Sequence, residues 1–109
     1  LMSSATEIMK QEINQSNFIH PKNTIISNVT SLETTEPNQI KDLLIKQIEN
    51  PVRWRESVIY MINKGVTKFV EIGPGKVLSG LVKRIDKSVT IVSINELDDL
   101  QGVKLNDWF

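Results

Sequence analysis

Few side chains in this 109-residue sequence are equipped for covalent or acid–base chemistry. There is no cysteine, which removes thiolate catalysis, disulfides and cysteine-ligated zinc together. The single histidine, His20, excludes a histidine-rich metal site within one chain and has to be weighed as a general base. It precedes Pro21 in a polar connector, with no serine or acid in a recognisable relation to it, and a base needs a positioned partner. His20 therefore reads as a solvated loop residue. Ser79 precedes Gly80 inside a helical pattern, and the chain contains no Gly-x-Ser-x-Gly elbow. A serine nucleophile is not expected here.

Anion binding is the other chemistry within reach. Gly73-Pro74-Gly75 opens a helical pattern, and free N–H groups at a helix start can hold a phosphate. The spacing is neither that of the Walker loop nor that of the dinucleotide fingerprint, so a plain strand-to-helix connection is the favoured reading. Phosphate binding at the turn stays as the weaker alternative. Arg53 and Arg55 have the chemistry for a carboxylate or phosphate, with a solvated face as the simpler reading. Lys76, Lys83 and Arg84 make a basic cluster, the last two in a final helical turn where the dipole favours them.

The elements that would position these groups follow from periodicity. Phe69, Val70 and Ile72 predict a short buried strand. Pro74 cannot extend it, and Gly73 and Gly75 allow backbone angles closed to other residues. Val77, Leu78, Leu81, Val82 and Ile85 then lie on one helical face, with Gly80 beside it for close approach to a sheet. Residues 1 to about 17 predict an amphipathic helix, with Met2, Ala5, Ile8, Met9 and Ile13 as its core stripe and Ser3 or Ser4 as cap. A strand is expected over 24 to 30, then a polar loop over 31 to 36. Pro37 opens a helix to about 49 through Ile40, Leu43, Leu44 and Ile48. Asn50-Pro51 ends it and starts another to about 64, with Trp54, Val58, Met61 and Ile62 inward and Gly65 at its left-handed end. A last strand is expected over 89 to 94, followed by a polar, acidic tail whose Trp108 and Phe109 either dock on a neighbouring surface or fray.

Several stretches resemble, in order, the malonyl-CoA:acyl carrier protein transacylases. The run Val70-Glu71-Ile72-Gly73-Pro74-Gly75-Lys76-Val77-Leu78, with Gly80-Leu81 and Lys83-Arg84-Ile85 behind it, is similar to the C-terminal region of that family. So are Asn50-Pro51-Val52-Arg53-Trp54, Glu56-Ser57-Val58, Gly65-Val66 and Ser27-Asn28-Val29-Thr30. The resemblance implies that residues 1–109 are the C-terminal portion of an α/β-hydrolase-like large subdomain, without the nucleophile-bearing portion or the inserted ferredoxin-like subdomain. It implies malonyl-CoA as substrate, no bound cofactor, and an acyl carrier protein and the upstream acyltransferase portion as partners. A serine in a Gly-x-Ser-x-Gly elbow would be acylated, histidine would act as base and acid, and an arginine would pair with the malonyl carboxylate. The histidine would lie a few residues before Leu1. At Gln47, a few residues before Asn50-Pro51, the family places a backbone carbonyl that accepts the histidine's N–H and fixes its tautomer.

Composition is compatible with this. Thirteen basic residues balance thirteen acidic ones, so no global field points to nucleic acid or membrane. No apolar run reaches membrane-spanning length and no signal peptide is visible, which makes a cytoplasmic setting the default expectation. Leu1 is not an initiator methionine, so a piece of a longer protein or a cleavage product is expected. The expected class is α/β, a partial parallel sheet of three strands with crossover helices. Three functions follow: part of a malonyl transacylase, inactive alone; a non-catalytic fragment or pseudoenzyme that binds a carrier through Lys76, Lys83 and Arg84; and a small phosphate-binding module.

Overall fold

The computed structural model describes residues 3–102, the last three by their backbone, and divides the chain into two units between Tyr60 and Met61. Met2, Trp108 and Phe109, which entered the expectations above, lie outside the described residues.

In the first unit, α1 (Ser4–Gln15) starts where the Ser3 hydroxyl accepts the Thr6 N–H at 3.2 Å, as the cap expectation requires. Its expected core stripe is not core: Ile8 is 61% exposed and Met9 52%. Its neighbour α2 (Pro37–Gln47) lies against α1, whose half-buried residues are Thr6, Lys10 and Ile13, so Ile13 is the one described member of the expected stripe that is partly covered; Lys41 Nζ donates to the Asn14 main-chain carbonyl at 3.2 Å. Helix α2 begins at Pro37 as expected, with the Glu36 side chain accepting the Asn38 N–H, and buries Ile40 and Leu43.

The strand expected over 24 to 30 is much shorter. β1 (Ile25–Ile26) pairs antiparallel with β2 (Glu33–Thr34), inside what reads as a polar loop. Ser31 N–H bonds back to Ser27 O at 2.9 Å and Ser31 takes φ +60, so the chain reverses before a longer strand can form. α3 (Trp54–Asn63) starts later than Pro51, because the Arg53 N–H is held by Asn28 O at 3.0 Å and the Arg53 carbonyl takes the Ser57 N–H at 3.0 Å. Val58, wholly buried, and Ser57 lie on its inner face. Ser57 Oγ donates to Arg53 O at 2.8 Å, and Ser31 Oγ to the same carbonyl at 3.1 Å. The 28–31 turn is thereby tied to the start of α3.

The second unit is a βαβ arrangement. Gly65 (φ +99) ends α3 with Gly65 N–H on Ile62 O and Val66 N–H on Met61 O, both 3.0 Å. β3 (Lys68–Ile72) and β4 (Thr90–Ile94) pair in parallel, with Glu71 opposite Ser93, and α4 (Val77–Ile85) crosses between them. Val82, Val89 and Ile94 are its buried apolar residues. The α/β class and the parallel sheet match expectation, but among the described residues that sheet has two strands rather than three. Further expectations fail: Ile72, expected in a buried strand, is 79% exposed, and Leu44 and Leu78, expected on packing faces, are exposed as well. A Cβ at Gly80 would meet nothing within 4 Å, so no close sheet approach requires this glycine, and Val77 is 73% exposed. The acidic tail also holds a helix, α5 (Leu97–Gly102), started by Asp99 Oδ2 accepting the Asn95 and Glu96 N–H groups at 2.9 and 3.1 Å. No helix among the described residues is long and apolar enough to cross a membrane.

Candidate functional site

Two places gather the chemistry, one in each unit. In the second unit, β3 runs into Gly73-Pro74-Gly75, where Gly73 (φ +143) and Gly75 (φ +81) hold left-handed angles that side chains rarely adopt. Gly73 N–H still bonds Ile94 O at 2.9 Å, so the turn leaves directly from the sheet. Lys76 supplies no side-chain cap to α4. That work falls to Glu71: its Oε1 accepts the Ser79 N–H at 2.9 Å and the Ser79 hydroxyl at 2.7 Å, and Oε2 accepts the Leu78 N–H at 3.3 Å. Because the Ser79 proton is committed to Glu71, the 2.6 Å contact between Ser79 and Ser93 has Ser93 as donor. The Ser79 hydroxyl chiefly holds the Glu71 carboxyl below the ordinary carboxylate range, against the opposing effect of burial and with smaller help from the Ser79 and Leu78 backbone N–H groups.

This geometry bears on the phosphate reading. The N–H groups at the start of α4 already face an anion, and it is tethered on the preceding strand, six residues before Val77. A free phosphate would have to displace it. The same contacts make Ser79 a donor to a weakly basic carboxylate rather than an activated nucleophile. Sequence reasoning missed Glu71; the available signal is an acid at the end of the strand before a helix whose own cap position holds a lysine.

In the first unit, Gln47 is the last residue of α2 and lines a small, mostly apolar hollow with Ile25, Asn28, Leu43 and Leu44. The last carbonyls of a helix lack intrahelical donors and must be met otherwise. Ile48 N–H meets Ile45 O at 3.2 Å, and Asn50 Nδ2 meets Lys46 O. Among the described residues no backbone N–H donates to Gln47 O.

The basic cluster is less uniform than its spacing suggests. Lys83 Nζ donates to Lys87 O at 3.1 Å and Val89 O at 2.9 Å, which leaves one of its three N–H groups. Lys76 and Arg84 are exposed. Arg53 and Arg55 are exposed as well, with Arg53 Nη1 reaching Thr30 O at 3.5 Å. His20 is exposed, its Nδ1 3.1 Å from Thr35 O.

No family model matches the chain. Among curated proteins, it is 39% identical over 107 residues to the malonyl CoA-acyl carrier protein transacylase of Staphylococcus aureus strain COL, covering 98% of this chain and 35% of that one. Among solved structures, an acyl carrier protein S-malonyltransferase from Vibrio cholerae matches with TM-score 0.81 and 42% identity, over 92% of this chain and 33% of that one. A malonyl-transacylase solved in complex with a type II polyketide synthase acyl-carrier protein matches with TM-score 0.81 and 31% identity, over 94% and 33%. The chain thus spans about a third of the length of the relatives it matches. With the α/β fold and the Gly73–Gly75 turn in place, the chain matches, over nearly its whole length, a portion of the malonyl CoA-acyl carrier protein transacylases.

Proposed function

We propose that these residues form the C-terminal portion of the large subdomain of a cytoplasmic malonyl-CoA:acyl carrier protein transacylase of fatty acid synthesis. The whole enzyme moves malonyl from coenzyme A to the phosphopantetheine thiol of a carrier protein. The observation that carries the reading is similarity running through 107 residues at 39% identity. The geometry at Gln47 supports it. In this reading a serine outside these residues attacks the malonyl thioester, and a histidine outside them takes the serine's proton and returns it to the leaving thiolate. That histidine needs a fixed acceptor for its second N–H, and Gln47 O is a carbonyl with no described backbone donor at the end of a helix. The requirement is met by the main chain, so the glutamine side chain is not part of it.

The second unit contributes framework and charge. Glu71, Ser79 and Ser93 clamp α4 to the sheet, and Lys76 and Arg84 present positive charge to an acidic carrier. Lacking nucleophile and base, residues 1–109 alone are inactive. Incubating the polypeptide that carries these residues, its serine and its histidine with malonyl-CoA and a phosphopantetheinylated carrier tests the reading. Malonyl-carrier forms if it holds; coenzyme A release without malonyl-carrier overturns it.

A further inference from the structure

Proline at position 51 has a consequence for the carbonyl four residues before it. A helix continuing past Gln47 would give its carbonyl to the N–H of residue 51, and Pro51 has none. Three other donors nearby serve different acceptors. Ile48 N–H serves Ile45 O, Asn50 Nδ2 serves Lys46 O, and Arg53 N–H serves Asn28 O at 3.0 Å in the 28–31 turn. The chain leaves α2 with the neighbouring carbonyls Ile45 and Lys46 satisfied and Gln47 without a described backbone donor. Carbonyls of this kind are normally paired with protein or water. One that is held open at a helix end also lies at the negative pole of the macrodipole, which favours a strong N–H donor.

We propose that Pro51 is a positioning residue: by lacking an N–H it keeps Gln47 O unclaimed for the imidazole N–H of the transacylase histidine. This rests on the reading of Gln47 given above and adds to it what keeps the carbonyl available. Pro51 touches no reacting atom. Its effect is exerted through Gln47, and Asn50 assists by satisfying Lys46 O in its place.

The test uses the intact enzyme, labelled with 13C and 15N, and reads hydrogen bonds as scalar couplings across them. In the unsubstituted enzyme the histidine N–H couples to the Gln47 carbonyl carbon, and no backbone N–H does. Absence of the histidine coupling overturns the underlying reading. A coupling from the Asn50 or Val52 N–H to the same carbon overturns the Pro51 proposal whether or not any variant folds. In Pro51→Ala the new N–H takes Gln47 O, the histidine coupling is lost, and kcat falls about tenfold or more while KM for malonyl-CoA stays nearly unchanged. Replacing Pro51 biosynthetically by azetidine-2-carboxylic acid, which also lacks an N–H, retains the coupling and the rate. A Pro51→Ala enzyme that keeps both overturns the proposal, as does an equal loss in both replacements.

Discussion

Glu71 and Ser79 are joined by two hydrogen bonds, from the serine N–H at 2.9 Å and its hydroxyl at 2.7 Å, to one carboxylate oxygen. Strand and helix are thus locked across the Gly73-Pro74-Gly75 turn by a residue that belongs to neither the turn nor the helix. The lock fills the helix start that an external anion would need, and it makes the folded state sensitive to the charge on one carboxylate.

The sign of that sensitivity is fixed. Glu71 is held below its ordinary range in the folded state, so its contribution is present above the ordinary glutamate value and is lost as pH falls below it. Asp86, lowered chiefly by the Ser88 hydroxyl and then the Ser88 N–H, with the Lys83 charge adding, acts in the same direction as pH falls below the ordinary aspartate value. Denaturant midpoints measured from pH 6 to pH 3 should fall toward acid, and Glu71→Gln should remove part of that fall. An unchanged slope in the variant would show that the carboxylate charge is not what holds the helix start.

Ser79→Ala removes the hydroxyl on which both Glu71 and Ser93 converge. A loss of about 1–2 kcal/mol in unfolding free energy is expected, the range for a part-buried hydrogen-bonded group. A neutral result would mean that the serine cluster forms no clamp.

Two glycines should respond with opposite sign. Gly75 holds φ +81, so Gly75→Ala should destabilise by about 1–2 kcal/mol. Gly80 lies in the exposed body of α4 with open space where a Cβ would go, so Gly80→Ala should stabilise by about 0.5–1 kcal/mol. Thermal unfolding of the pair decides it; the same sign for both would contradict the backbone assignment of the turn.

The carrier surface is expected to be uneven. If the proposed carrier face is right, Arg84→Glu and Lys76→Glu each reverse a charge on it and should weaken carrier binding several-fold, more so at low salt. Lys83→Ala should act on stability as well, since its ammonium holds Lys87 O and Val89 O. Calorimetric titration of the intact enzyme with carrier separates the two; equal affinities in all three variants would remove this face from the interface.

What could be read from the chain depended on how local the determinants are. β3, α4 and β4 were legible because apolar periodicity and Gly73-Pro74-Gly75 lie within one run. The β1–β2 hairpin was not, since it rests on two-residue strands and on Ser31 adopting φ +60, which no side-chain pattern announces. The face of α1 that packs was legible only in part, because Ile13 is half-buried along with the polar Thr6 and Lys10, while Ile8 and Met9 stay exposed. Gln47 illustrates a different limit. Its proposed part is played by a carbonyl, and the visible signal is the proline four residues on rather than the glutamine.

The most direct test of the account is malonyl transfer to a carrier protein with and without these residues. Three samples are compared: the polypeptide bearing the serine, the histidine and residues 1–109; the same polypeptide lacking those residues; and residues 1–109 alone. Transfer is expected in the first and none in the other two. Transfer by residues 1–109 alone, or undiminished transfer when they are removed, would contradict it.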